Sequence, residues 1–149
     1  MTDEPLSVLV TRIHPDARIP EYHSGAAAAF DLAAVADVTV PPGQVGLIPT
    51  GLVIRVPLRM FLGIFARSST PLKRGLMVAN GVGVIDQDYC GGTDEVKIQV
   101  LNFTAEAVRV GKGDRIAQGL FIPVARAEWR ESDGDLREGS CGGFGATGR

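Results

Sequence analysis

Histidine and cysteine are scarce in this 149-residue chain, and each shortage removes a class of chemistry. The two histidines, His14 and His23, and the two cysteines, Cys90 and Cys141, make neither a zinc spacing nor a disulfide framework. No Ser/His/acid or Cys/His arrangement stands out. Cys90 has no histidine near it in sequence, and its neighbouring carboxylates disfavour a thiolate. A basic excess is missing as well: the formal charge is −2, which argues against a sequence-blind nucleic-acid binder that must neutralise phosphates. No apolar run approaches the ~18 to 20 residues of a bilayer span, so no membrane partner is expected. The opening stretch, MTDEPLSVLV, carries acids where a secretory signal carries bases. A cytoplasmic protein with free thiols is expected.

What is abundant is β punctuation. With 45% hydrophobic residues the chain suits one domain with a single core. Its 19 glycines and 9 prolines break it into short apolar runs. These fall at Leu6–Val10, Val38–Val40, Val45–Ile48, Leu52–Val56, Met60–Phe65, Leu76–Ala79, Val96–Leu101, Ala107–Val110, Ile116–Ile122 and Ala125–Trp129. The pattern predicts an all-β domain, a distorted jelly roll, over residues 1–129. Ser69–Arg74, with Pro71 in its first turn, is the best helix candidate. Ala26–Ala34 reads as a loop entering a strand. Residues 130–149 are polar and Gly-rich, either a disordered terminus or a bending flap that carries the aromatic Phe144 over a flat ligand.

The stretch Gly75 to Asn102 holds the most chemistry. It reads as a strand, an Asn80-Gly81 hairpin turn, a strand and a return strand, with Asp86 and Asp88 beyond Ile85. Glycines at 81 and 83 leave the backbone open to a planar ring. Arg67-Ser68-Ser69 follows an apolar strand and reads as a phosphate cradle or as an ordinary polar turn. Asp31, a lone charge in an apolar run, is either bonded within the fold or aimed at a ligand. Asp114 and Arg115 read as a turn residue and a surface cation. Water chemistry remains: an Asp on a rigid turn can orient a water molecule while a phosphate-bound Mg²⁺ neutralises the departing charge.

Five ordered segments carry a resemblance: AAAAFDLAA, ARSSTPLKRG, NGVGVIDQDY, GKGDRIAQGLF and GGFGATG. In this order they resemble the trimeric deoxyuridine triphosphatases (dUTPases), from about Arg18 to the C-terminus. The resemblance implies hydrolysis of dUTP to dUMP and pyrophosphate by a homotrimer with Mg²⁺ as cofactor. It implies that Asn80 and the main chain around Val84 and Ile85 pair with uracil, and that Tyr89 lies against the deoxyribose. Arg67, Ser68, Ser69 and Gln118 would hold the triphosphate, and Lys97 would make a further contact. Asp86 would orient the attacking water, Asp31 would meet Mg²⁺ through water, and Phe144 would stack on the base from an arm crossing to a neighbouring subunit.

Some positions depart from that pattern. Ala29 and Ser69 stand where the family usually has Gly. The return from Tyr89 to Asn102 is about three residues longer than usual, with Thr93-Asp94-Glu95 expected at the extra tip. Arg137 lies two residues further from Phe144 than usual, which leaves Arg149 as another cation for the γ-phosphate. Two rivals remain. One is a deoxycytidine triphosphate deaminase, which Arg67-Ser68-Ser69 also resembles and for which Glu95 is the only candidate proton carrier. The other is a non-catalytic nucleotide-binding trimer.

Overall fold

The computed structural model describes residues 5–140 and 142–143. In chain order these form β1 (Val10–Arg12), β2 (Phe30–Ala33), β3 (Val38–Val40), β4 (Val45–Pro49), β5 (Leu52–Ile54) and β6 (Met60–Ala66). The helix α1 (Ser69–Arg74) follows, then β7 (Leu76–Val78), β8 (Gly83–Ile85), β9 (Lys97–Asn102), β10 (Val108–Val110) and β11 (Arg115–Pro123). The fold is therefore nearly all β with one short helix, and both the helix bounds and the strand at Phe30 agree with the sequence reading. No helix among the described residues is long and apolar enough to cross a membrane.

Period-two alternation explains the strands. In β9 Ile98, Val100 and Asn102 are buried while Lys97 is exposed, and each fully buried Val or Ile contributes about 1.5–3 kcal/mol relative to exposure. Strand order is β2-β11-β6-β8 in the largest sheet and β4-β9-β7 in the next, with two-stranded pairs β1-β5 and β10-β3. One core cluster joins them, with Leu32, Ile48, Ile54, Leu62, Ile98 and Ile116 all at 2% exposure or less.

Three expectations are corrected. The first strand pairs from Val10 to Arg12, opposite Ile54 to Leu52, rather than over Leu6–Val10; Arg55 N–H donating to the Leu9 carbonyl at 2.9 Å extends the contact by one bond. Ala125–Trp129 forms no strand: β6, the partner of β11, begins at Met60 opposite Pro123, and among the described residues nothing continues the ladder beyond Val124. Trp129 is consequently 92% exposed. Finally, Asn80-Gly81 does not close a hairpin. β7 pairs with β9, whereas β8 pairs with β6 in the other sheet. The chain crosses between sheets through a tight turn in which Val82 N–H donates to the Asn80 carbonyl at 2.8 Å. Gly81 has φ +73° there, a conformation that favours glycine.

Candidate active site

One group of expected residues gathers around the C-terminal end of β6. Gln118 on β11 lies opposite Asp31 on one side and Phe65 on the other. Its amide donates to the Ala66 carbonyl at 3.0 Å. Asp31 uses both oxygens on cations: Oδ1 meets Arg67 Nε at 2.9 Å and Oδ2 meets Arg115 Nη1 at 3.0 Å. Arg67 also donates to the Arg115 carbonyl at 3.2 Å. A ring nitrogen of His23 lies 2.8 Å from Arg115 Nη1; a guanidinium only donates, so that nitrogen acts as the acceptor. Ser68 sits at the N-cap of α1 in a helical conformation with no side-chain capping bond, and Ser69 opens the helix. They follow Arg67 directly in the chain, next to a cluster in which two guanidiniums share one carboxylate, a local surplus of positive charge suited to a polyphosphate.

Behind this cluster Asp114 accepts from Arg74 at 2.7 Å and from Gly111 N–H at 2.8 Å. The Arg74 hydrogen bond holds the Asp114 carboxyl below the ordinary carboxylate range, against an opposing desolvation. The turn residue of the sequence reading thus also ties α1 to the start of β11. Arg115, read there as a surface cation, is the second partner of Asp31.

Among the described residues no group of three or more His, Cys, Asp or Glu side chains converges on a point, and both Asp31 oxygens already meet guanidiniums. A carboxylate has about four lone-pair positions. Those left on Asp31 suit a hydrogen bond from a metal-bound water.

A second group lines the segment between β7 and β9. β8 is the edge of its sheet, so one row of its backbone groups points away from β6. Val84 on that strand is 58% exposed, and Asn80 and Asp86 at its two flanks are exposed too. The turn after Asp86 is pinned: Gln87 Nε2 donates to the Met60 carbonyl at 3.3 Å, and Tyr89 N–H donates to the Asp86 carbonyl at 3.3 Å. Gln87 was missed in the sequence, where nothing marks a side chain that clamps a distant strand. Tyr89 Oη donates to the Glu95 carbonyl at 3.2 Å.

Glu95 is not in the loop tip. That tip is a turn from Gly91 to Asp94, closed by Gly91 N–H donating to Asp94 Oδ2 at 2.7 Å, while the Glu95 carboxylate accepts from Gly51 N–H at 2.8 Å. Lys97, exposed at the start of β9, approaches Glu95 at 3.7 Å. Phe144, Cys141 and Arg149 lie outside the described residues. Arg137 lies within them, exposed and outside any strand or helix.

Within one chain Asp86 lies away from the cation cluster, while Gly83 pairs with Ile64 and the Asn80 flank of β8 runs toward that end of β6. Ile85 pairs with Leu62 near the start of β6, whereas Arg67 follows its last residue. From Leu62 to Arg67 an extended strand covers about 17 Å. Asp86 and the cation cluster therefore sit toward opposite ends of the same strand.

Fold and site define an all-β domain with two guanidiniums on one carboxylate at the C-terminal end of β6 and an open backbone edge along β8. The family model for dUTPase matches residues 15–148. A deoxyuridine 5'-triphosphate nucleotidohydrolase of Desulfitobacterium hafniense is 45% identical over 135 residues, spanning 88% of this chain and 87% of its own. The chain belongs to the dUTPase family. Among solved structures, the dUTPase of Streptococcus mutans superimposes with a TM-score of 0.73 at 30% identity, covering 80% of this chain and 98% of its own. A Staphylococcus bacteriophage 80alpha dUTPase with dUPNHPP reaches 0.84 at 21% identity over 95% of this chain and 98% of its own, a likeness of fold.

Proposed function

We propose that this dUTPase hydrolyses dUTP to dUMP and pyrophosphate by in-line attack of a water molecule that Asp86 orients toward the α-phosphorus. The observation that carries this reading is the division of β6, in a chain of the dUTPase family. The polyphosphate half of the site, Asp31, Arg67 and Gln118, lies at one end of the strand and the exposed carboxylate of Asp86 toward the other, with the open edge of β8 across its middle. Each half lacks what the other supplies, so the working unit is a homotrimer in which the halves of different subunits face one another.

Uracil pairs with the Asn80 amide and the backbone of Val84 and Ile85. Cytosine would set donor against donor there, and such buried mismatches discriminate by ~10⁴ or more. Tyr89 lies against the deoxyribose, and Lys97 adds a contact at the rim. Arg67, Ser68, Ser69 and Gln118 hold the phosphate oxygens. In the chemical step the water oxygen bonds to the α-phosphorus, its proton passes toward Asp86, and the bond to the α,β-bridging oxygen breaks to release pyrophosphate. Asp31 would hold a phosphate-bound Mg²⁺ through water, where the chemistry supplied would be charge neutralisation for the leaving pyrophosphate. Residues 130–149 serve as an arm that carries Phe144 onto the base of a neighbouring subunit's site; the described part, 130–140, is exposed and free of regular structure. A cytoplasmic setting belongs to the same reading.

The deaminase alternative needs a carboxyl group free to move protons at the ring. Glu95, the candidate, is engaged by Gly51 N–H and faces away from that task. Pyrophosphate and ammonia release from dUTP, dCTP, dTTP and UTP, with and without Mg²⁺, tests the assignment. Pyrophosphate from dUTP alone, dependent on Mg²⁺, is expected; ammonia from dCTP overturns it.

A further inference from the structure

The segment from β8 to β9 ends in a hydrogen-bonded zip against the turn between β4 and β5, and the hydrolytic step leaves this feature unused. Thr50 Oγ1 donates to the Val96 carbonyl at 2.6 Å, and Val96 N–H donates to the Leu52 carbonyl at 2.8 Å. Between them the Glu95 carboxylate, its side chain 16% exposed, accepts from Gly51 N–H. Gly51 has φ +69°, and a Cβ there would lie 2.9 Å from the Cβ atoms of both Ala17 and His14. Conformation and packing thus fix that N–H as an anchor. The carbonyl of the same Glu95 receives the Tyr89 hydroxyl. The intervening tip is closed on itself, with Asp94 N–H donating to the Gly91 carbonyl at 3.0 Å, so it links the two residues without slack.

We propose that Glu95 is a positioning residue for sugar recognition. Docking on Gly51 fixes the carbonyl on which the Tyr89 hydroxyl rests, and so holds an otherwise exposed ring where a ribose 2′-hydroxyl would need room. Tyr89 is 40% exposed, and the bond from its hydroxyl to the Glu95 carbonyl restrains the ring. Lys97, 3.7 Å from Glu95 with its side chain 47% exposed, contributes little to the anchor. This inference rests on the reading of Tyr89 as the sugar contact, and the test separates the two.

The measurement is the ratio of kcat/KM for dUTP over UTP in Glu95→Ala, Glu95→Gln, Tyr89→Phe, Tyr89→Ala and the Glu95→Ala/Tyr89→Phe double variant. Glu95→Ala is expected to lower the ratio about fivefold, the net worth of one hydrogen bond. Glu95→Gln, whose amide oxygen still accepts from Gly51, keeps the wild-type ratio. Tyr89→Phe gives the same loss as Glu95→Ala, and the double variant loses no more than either. An unchanged ratio in Glu95→Ala, or additive losses in the double variant, overturns the proposal. Should Glu95→Ala fail to fold by circular dichroism, Tyr89→Phe decides alone: it removes only the hydroxyl that meets Glu95, and a wild-type ratio rejects the link. If Tyr89→Ala leaves the ratio unchanged, the sugar reading itself fails. If Tyr89→Ala collapses the ratio and Glu95→Ala does not, the Glu95 link alone fails.

Discussion

At the C-terminal end of β6 the charges are already paired inside the protein, with Asp31 between Arg67 and Arg115. Toward the start of the strand Asp86 is turned to solvent, and across its middle Val84 is exposed and the backbone of β8 is open on one side. Under the proposed function, the contrast follows from what each end recognises. A triphosphate is read by charge, which tolerates small displacements, so preformed ion pairs serve by aiming the guanidiniums before substrate arrives. A base edge is read by donor and acceptor order, which tolerates none, so it calls for backbone held by a neighbouring strand. The first end stores orientation in side chains and the second in the sheet.

The strongest way to break this comparison is to remove the reacting group while leaving both recognition ends intact. Asp86→Asn is expected to lower kcat by on the order of 10³, within the range for a positioned proton acceptor. Binding of a nonhydrolysable dUTP analogue, measured by calorimetry, should change little. Near-wild-type pyrophosphate release in the variant would remove Asp86 from the mechanism. Arg67→Ala strikes the charge-reading end instead. It is expected to lower kcat/KM for dUTP by roughly 10- to 100-fold, the usual worth of a charge-assisted hydrogen bond, through KM more than kcat. Arg67→Lys should recover only part of this, because an ammonium does not fork two oxygens. Equal losses for dUMP and dUTP binding would show that Arg67 serves the fold rather than the phosphates.

The two ends were unequally legible in the sequence. Local signals did well: Ser69–Arg74 is the helix, and Asn80-Gly81 is a turn. What local signals lack is the destination of the strand that follows. β8 is three residues long and joins β6 rather than β7 because Gly83 fits against Ile64, where a Cβ would lie 2.9 Å from that side chain. Arg115 passed for a surface cation because its partner Asp31 is 84 residues away. Glu95 was placed at a loop tip for the same reason: nothing adjacent announces the Gly51 N–H that holds it. Ala125–Trp129 has the alternation of a strand but, within one chain, no ladder to join. Residue type and spacing reveal which groups carry chemistry; long-range pairing decides which of them meet.

Stability offers a smaller test of the same contrast. Gly119 lies on β11 between β2 and β6, and a Cβ there would come within 2.5 Å of the Phe30 ring and 3.1 Å of Leu62. Phe30 is buried and packs edge-on to Tyr22, so it has little room to yield. Gly119→Ala is expected to destabilise by about 1–3 kcal/mol, read as a lower thermal midpoint at fixed protein concentration. Because Phe30 precedes Asp31, KM for dUTP should rise as well. Gly92→Ala in the loop tip, where a Cβ meets nothing within 4 Å, should leave both unchanged. A midpoint in Gly119→Ala equal to wild type would mean that β2 and β6 separate more easily than their packing implies.

The smallest effect expected concerns the frame behind the phosphate end. The hydrogen bond from Arg74 lowers the Asp114 pKa below its ordinary 3.8. A carboxyl group with a lower pKa folded than unfolded binds protons more readily in the unfolded chain. Its contribution to stability is therefore complete above 3.8 and is lost as pH falls through the folded value. Asp114→Asn should have a lower thermal midpoint than wild type at pH 7, with the gap closing as pH drops below about 4. Both side chains of the pair are 33% exposed, so the gap should be small and should shrink in high salt. Asp16 and Asp37 carry lowered pKa values of their own, which is why the comparison must be between variant and wild type rather than along one curve. A gap that stays constant from pH 7 to pH 3 would show that Asp114 holds α1 to β11 by shape and neutral hydrogen bonding, and that the charges at this end serve the substrate alone.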